Sequence, residues 1–210
     1  PRLQYSFAYF DQAPQVNQDI VGAQAAEIPQ TEQLIAQLRL QKAGLVVAGG
    51  STRLRSVAAA LPYISCTAEL VAVHDAARPL LQMADWQAVL QAASLPDYVG
   101  AVLAAPVTDT IKLLAANEAA PDKSAGAVVG AIEATPPRDL LWRALTPQVF
   151  AIEPFIEAYS TMDKDFTDDG ALLAANGGGR VALVRGSADN IKITTPRDLQ
   201  LAQLILTEEG

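Results

Sequence analysis

Five short apolar runs, each closed by glycine, proline or a polar pair, constrain this chain more than any other feature. They are 43–48 (AGLVVA) before Gly49-Gly50, 70–73 (LVAV) before His74-Asp75, and 99–105 (VGAVLAA) before Pro106. Two more follow: 181–184 (VALV) before Arg185-Gly186, and 191–194 (IKIT) before Thr195-Pro196. Runs of this length and boundary chemistry read as buried strands. Between them, apolar spacing predicts helices over 31–42, 53–60, 83–93, 154–159, 169–175 and 196–206. Thr31 before Glu32 reads as an N-cap, and Pro196 stands at a first helical position. Alternating strands and helices predict a layered α/β fold with a mostly parallel sheet, whose ligands gather at the carboxyl ends of the strands. The polar clusters fall at those ends: Gly49-Gly50-Ser51, His74-Asp75 and Thr108-Asp109.

Two stretches break the alternation. Residues 113–138, rich in Ala, Gly and Pro, read as an excursion from the sheet. We expect a hairpin arm over about 113–140 with its tip near Asp122-Lys123. Residues 1–30, rich in Gln and Pro, show weak periodicity and receive no strand. A length of 210 residues fits one domain, 1–210.

Charge narrows the partners. Lys and Arg number 15 and Asp and Glu 23, a net −8 with a pI near 4.6, which argues against a nucleic-acid binder. A small phosphorylated ligand needs only a local basic cluster and stays open. With 50% hydrophobic residues the chain is too apolar for intrinsic disorder, and the single cysteine, Cys66, excludes a disulfide scaffold. No apolar run is long enough to span a membrane, and no secretory signal opens the chain. A cytoplasmic protein is the expectation.

Three groups of residues carry candidate chemistry. In His74-Asp75-Ala76-Ala77-Arg78-Pro79, a carboxylate just past a buried strand suits Mg²⁺, which takes one or two carboxylates plus phosphate oxygens. Ala76 and Ala77 let a ligand approach the backbone, and Arg78 suits a phosphate or orients Asp75. A turn with a structural Asp–Arg pair is the competing reading, and His74 reads as a packed or capping residue. Gly49-Gly50-Ser51-Thr52-Arg53, with Ser56 following, presents backbone N–H groups to a ligand or simply makes a tight strand–helix turn. Neither the P-loop nor the dinucleotide-binding glycine spacing is present. The third group is scattered: Thr108, Asp109, Thr110, Lys112, Arg138, Thr146, Thr167, Asp168, Asp189 and Lys192. Lys192 stands out, because strand alternation with Ile191 and Ile193 points it into a cleft. One Cys and one His make thiol catalysis and zinc chemistry poor options.

At these residues the chain resembles the 2-C-methyl-D-erythritol 4-phosphate cytidylyltransferase family. The strings VHDAARPLL (73–81), APVTDTIK (105–112), LWRALTPQVF (141–150), FTDDGALL (166–173) and GSADNIKITTPRDLQLA (186–202) occur in the family's order, and VVAGGSTRLRSV (46–57) is similar to its glycine-rich segment. The resemblance covers roughly 43–207. It implies a Rossmann-like nucleotidyltransferase fold with a protruding β-arm that builds a homodimer. It also implies transfer of a cytidylyl group from CTP to 2-C-methyl-D-erythritol 4-phosphate, with release of pyrophosphate, for isoprenoid precursor synthesis. By the same resemblance, Gly49, Gly50, Ser51 and Ser56 meet the cytosine and ribose, with Ser51 standing where the family often has Asp. Asp75 holds Mg²⁺ and the CTP phosphates, with Arg78 in the same motif, and Lys192 meets the α-phosphate. Asp109, Thr110, Arg138, Thr146 and Thr167 line or flank the acceptor pocket, Arg138 reaching across from the partner's arm.

The main departure is at the front. The family's first strand and Gly-rich basic loop have no counterpart here, and only Pro1-Arg2-Leu3-Gln4-Tyr5 echoes the stretch that follows them. The next forty residues match poorly. Two rival readings follow: a cytidylyltransferase for another polyol phosphate such as ribitol 5-phosphate, and a catalytically silent homologue acting as a binding subunit.

Overall fold

The structure, a computed structural model, describes residues 2–115 and 130–208. Its central sheet has the order β3 (Leu70–Val73), β7 (Trp142–Ala151), β4 (Gly100–Pro106), β8 (Val181–Arg185). β3, β4 and β8 run the same way, and β7 runs against its neighbours β3 and β4. A separate parallel pair, β1 (Asp19–Ala23) with β2 (Ala43–Ala48), forms a second small sheet. Helices cover both faces of the central sheet. Trp86, Val89 and Ala93 of α4 (Met83–Ala93) pack on Ala101, Leu103, Ala105, Leu145 and Val149. On the other face Leu54 of α3 (Arg53–Ala60), Phe155, Ala158 and Tyr159 of α5 (Ile152–Ser160), and Leu172 and Leu173 of α6 (Asp169–Ala175) pack on Val102 and Phe150. α1 (Arg2–Gln12) and α2 (Ile28–Leu38) build a third cluster with β1 and β2, around Phe7, Val21 and Ala43. α7 (Pro196–Glu208) closes the chain, its Ala202 buried with Leu80 and Ile193.

Four of the five apolar runs are strands. The fifth, 191–194, is not: Ile191 N–H donates to the Asp189 carbonyl and Ile193 N–H to the Ala77 carbonyl, two separate bonds rather than a ladder. β7 was hidden in the sequence because Pro147 interrupts it, and proline removes a ladder donor. The β4–β7 register shifts between Val102 and Ala104, beside that proline. α2 begins at Ile28, not after Thr31. Thr31 lies within the helix, its hydroxyl donating to the Glu27 carbonyl at 2.9 Å. The same helix stops at Leu38 because Arg39 turns left-handed (φ 53°), its N–H returning to Ala36. α1 was not predicted because it lies in the Gln- and Pro-rich opening stretch, although its sequence places Leu3, Phe7 and Phe10 at helical spacing. It is fixed by Phe7 and by Phe10, whose ring meets His74 at 5.0 Å and Trp86 at 5.5 Å. Where the arm was expected, β5 (Leu113–Leu114) pairs antiparallel with β6 (Ile132–Ala134), and the expected tip at Asp122-Lys123 lies outside the described residues.

Asp19, at the start of β1, carries a stability prediction. Burial, reinforced by nearby Asp11, pushes its carboxyl up from 3.8 to about 6. Asp11 is itself committed, accepting from the Gln41 and Lys42 N–H groups at 2.6 and 2.8 Å. A pKa higher in the folded than in the unfolded state means stability falls as pH rises through that interval. Asp19→Asn is expected to stabilise the fold by about 1–2 kcal/mol at pH 7 and by little near pH 4. Thermal unfolding at the two pH values checks this, and equal gains at both would remove the electrostatic explanation.

Candidate active site

The carboxyl ends of β2 and β3, the middle of β7 and the loops before α6 and α7 converge on one cavity of about 250 Å³. Its walls are Arg53, Asp75, Arg78, Ala144, Leu145, Thr146, Gln148, Thr167, Asp168 and Lys192.

The glycine turn sets its first wall. Gly49 N–H donates to the Ala23 carbonyl at 2.7 Å, tying the end of β2 to β1. The Ser56 hydroxyl accepts from Gly50 N–H at 3.0 Å and donates to the Thr52 carbonyl at 2.9 Å. A Cβ on Gly50 would stand 2.4 Å from Arg55 Cβ, so only glycine permits this approach. Thr52 then caps α3, accepting from Arg55 N–H, and Arg53 leaves as the first helical residue. Gly49, Gly50 and Ser56 are thus bound up in shaping the turn, and Ser51 is exposed on it.

Charge is concentrated on Asp75. Its Oδ2 accepts from Lys192 Nζ at 2.8 Å and lies 3.9 Å from Arg78 Nε; its Oδ1 accepts from Arg53 Nε at 3.3 Å. Burial would push this carboxyl up, but Lys192 and then Arg53 outweigh it and hold it below the ordinary carboxylate value. Arg78 is depressed, first by burial, with Arg143 and Arg53 adding to it against the pull of Asp75. Its Nη1 donates to the Asn190 carbonyl at 2.7 Å. Three cations around one carboxylate leave the cavity wall biased towards anions.

A hydrogen-bond chain fixes the loop that carries Asp75. Asp75 N–H donates to Thr146 Oγ1 at 3.0 Å, and Thr146 Oγ1 lies 3.1 Å from His74 Nδ1. His74 Nε2 lies 3.0 Å from the Arg78 carbonyl, which can only accept. Nε2 therefore carries the proton, Nδ1 accepts, and Thr146 donates. Burial lowers the imidazole from 6.5 to about 4, which keeps this neutral tautomer at pH 7. Asn190, fully buried, donates to the Thr146 carbonyl at 2.8 Å.

Of the candidate residues given in the sequence, Asp75, Arg78, Thr146, Thr167, Asp168 and Lys192 meet at the cavity. Lys192 lies on the cavity wall and donates to Asp75, but it does so from a loop and not from the strand that alternation predicted. Asp109 and Thr110 are exposed beyond β4, and Arg138 Nη1 donates to the Thr108 carbonyl at 2.9 Å. Within one chain these three do not line the cavity. The sequence reading gave Arg53 no role beyond its place in the glycine segment and passed over Gln148 and Asp169. Gln148 Nε2 donates to Asp168 Oδ2 at 3.2 Å, and its Oε1 accepts from Gly170 N–H at 3.2 Å, joining β7 to α6. The available signal for Arg53 was its place as the first helical residue after the turn over 49–52. For Asp169 it was a carboxylate behind Asp168, whose own Oδ1 caps α6.

The profile of the 2-C-methyl-D-erythritol 4-phosphate cytidylyltransferase family matches residues 1–208. The first forty residues therefore fall within the family region, which the quoted strings did not reach. A protein of that name from Symbiobacterium thermophilum is 37% identical, over 100% of this chain and 82% of its own. One from Stenotrophomonas maltophilia is 43% identical over 79% of this chain and 68% of its own. Among solved structures, 2-C-methyl-D-erythritol 4-phosphate cytidylyltransferase from Thermus thermophilus superposes with a TM-score of 0.75 at 31% identity, covering 98% of this chain and 89% of that one. The fold is shared at a TM-score of 0.82 with 4-diphosphocytidyl-2C-methyl-D-erythritol synthase from Anaerococcus prevotii, at 21% identity, over 98% and 86% of the two chains. A match that runs the length of the chain and agrees in sequence and fold places this protein in the 2-C-methyl-D-erythritol 4-phosphate cytidylyltransferase family.

Proposed function

We propose that the chain transfers the cytidylyl group of CTP to 2-C-methyl-D-erythritol 4-phosphate, releasing pyrophosphate, and that the cavity around Asp75 is where this occurs. The observation that carries the reading is a single carboxylate ringed by Lys192, Arg53 and Arg78 at the strand ends of a family member. In the reaction an oxygen of the acceptor phosphate forms a bond to the α-phosphorus while the bond to the β-phosphate oxygen breaks, and pyrophosphate leaves with that electron pair. No protein nucleophile is required; the residues position phosphates and neutralise charge. Lys192 supplies a cation at the α-phosphate, Arg78 a second, and Thr146 and Thr167 bound the acceptor side. Gly49, Gly50, Ser51 and Ser56 stand on the nucleoside side.

Mg²⁺ fits this donor set in one way only. Among the described residues there is no group of three acidic, His or Cys side chains suited to a metal. Asp75 offers one carboxylate beside three cations, so a hard cation there needs nucleotide phosphates for its remaining ligands. When bound, the ion supplies Lewis-acid neutralisation of the phosphate oxygens.

The arm supports assembly with a second copy. Ile132, Leu113, Leu114 and Leu140 are 63%, 49%, 40% and 77% exposed. A two-stranded hairpin with such apolar exposure is marginal alone. A homodimer through the arm covers it and lets Arg138, Asp109 and Thr110 complete the acceptor pocket. No described helix is long and apolar enough to cross a membrane, and a single exposed thiol, Cys66, suits a reducing cytoplasm.

Acceptor choice is tested by competition. With CTP, Mg²⁺ and equimolar 2-C-methyl-D-erythritol 4-phosphate and ribitol 5-phosphate, ³¹P spectra are expected to show the methylerythritol product in at least about tenfold excess. A dominant ribitol product would transfer the assignment to the other polyol phosphate.

A further inference from the structure

Arg53 does not serve Asp75 alone. Its guanidinium spans two carboxylates: Nε reaches Asp75 Oδ1 at 3.3 Å, and Nη1 reaches Asp169 Oδ2 at 2.7 Å. Asp169 is fully buried at the start of α6 and borders no part of the cavity. Its other oxygen, Oδ1, accepts from the Tyr159 hydroxyl of α5 at 2.5 Å. Asp75, by contrast, keeps 17% side-chain exposure on the cavity wall. The chain of contacts thus runs from the helical layer to the reacting wall through one guanidinium.

Packing alone does not account for this arrangement. A buried ion pair gives little net stability, since desolvation of both groups offsets their attraction. An apolar pair would fill the same space under the sheet. What the pair does supply is direction. A planar guanidinium whose Nη1 lies 2.7 Å from a fully buried carboxylate is restrained from rotating by that ion pair. Its Nε is then fixed on Oδ1 of Asp75, which leaves Oδ2 turned towards Lys192.

We propose that Asp169 and Tyr159 are positioning residues: they hold Arg53, and through it the orientation of the Asp75 carboxylate, without touching substrate. The inference rests on the reading of Asp75 as the centre of the site. Asp169 anchors the guanidinium by charge. Tyr159 in turn fixes Asp169, because a carboxylate that accepts a hydroxyl on one oxygen presents the other in a single direction.

The test uses the full chain and two readouts. The first needs no turnover: hydrogen exchange of the Arg53 Nε–H group, followed by NMR. In Asp169→Asn it is expected to quicken by about tenfold, because the ion pair is gone. The second is kinetic. Transfer should lose about tenfold in kcat while KM for CTP stays within about twofold, since misplacing a positioned group affects the reacting geometry rather than nucleotide capture. Tyr159→Phe keeps both charges and removes one hydroxyl, so it should move both readouts the same way by about threefold. It also decides the matter where Asp169→Asn does not fold. Wild-type values of both readouts in the folded variants would overturn the proposal. A slower kcat with unchanged Arg53 exchange would overturn it too, because the effect would then bypass Arg53. If wild-type protein shows no cytidylyl transfer, the reading of the site fails, and the exchange measurement still decides whether Asp169 and Tyr159 hold Arg53.

Discussion

Lys192→Met is expected to lower cytidylyl transfer by about 100-fold while leaving the fold intact. The ammonium donates to Asp75 at 2.8 Å, and the side chain keeps 44% of its surface exposed. Methionine preserves most of the apolar stem, and Asp75 retains Arg53 and Arg78 as neighbours. A half-exposed ion pair contributes at most about 1 kcal/mol, so the unfolding midpoint should barely move. What is lost is a fixed positive charge where negative charge builds on the α-phosphate, and such donors act mainly on kcat. Turnover within a few-fold of wild type would make Lys192 only a partner of Asp75. Saturation curves in CTP and acceptor, read beside a thermal melt, separate the two outcomes.

Much of the frame was legible because its signals are local. Apolar runs ending at Gly49, His74 and Pro106 announced β2, β3 and β4, and the polar residues behind them did lie at strand ends. The site was partly legible for the same reason: Asp75 and Arg78 follow a strand directly, Lys192 stood out by alternation with Ile191 and Ile193, and the resemblance gave Thr146 and Thr167 a place at the acceptor. What stayed hidden depends on contacts distant in sequence. β7 breaks the apolar pattern at Pro147 and is a strand only because β3 and β4 flank it. Residues 191–194 alternate like a strand but are not in a ladder, so Lys192 reaches Asp75 from a loop. Arg53 and Asp169 are 116 positions apart, and their pairing through α3 and α6 leaves no local trace. α1 was missed although Leu3, Phe7 and Phe10 share helical spacing, because its surroundings are rich in Gln and Pro and its fixing contacts, Phe7 with the small sheet and Phe10 with His74 and Trp86, are distant in sequence.

Asp75 itself decides whether the cavity is the nucleotide site. Its carboxylate balances three cations, so replacing it by asparagine should leave metal-free CTP binding unchanged or somewhat tighter, because a negative charge near the phosphates is gone. The same change removes the side chain's only anionic oxygens, and with them the protein's hold on a metal that the nucleotide carries in. Arg53 keeps Asp169 and Arg78 keeps the Asn190 carbonyl, so the fold should persist. The decisive measurement is calorimetric titration of CTP into wild type and Asp75→Asn, each with and without Mg²⁺. The expected result is that Mg²⁺ tightens CTP binding to wild type by about tenfold or more, roughly 1.4 kcal/mol, and changes the variant's affinity by less than about twofold. An equal Mg²⁺ effect in both proteins, or none in wild type, would contradict the assignment of Asp75 and the site built around it.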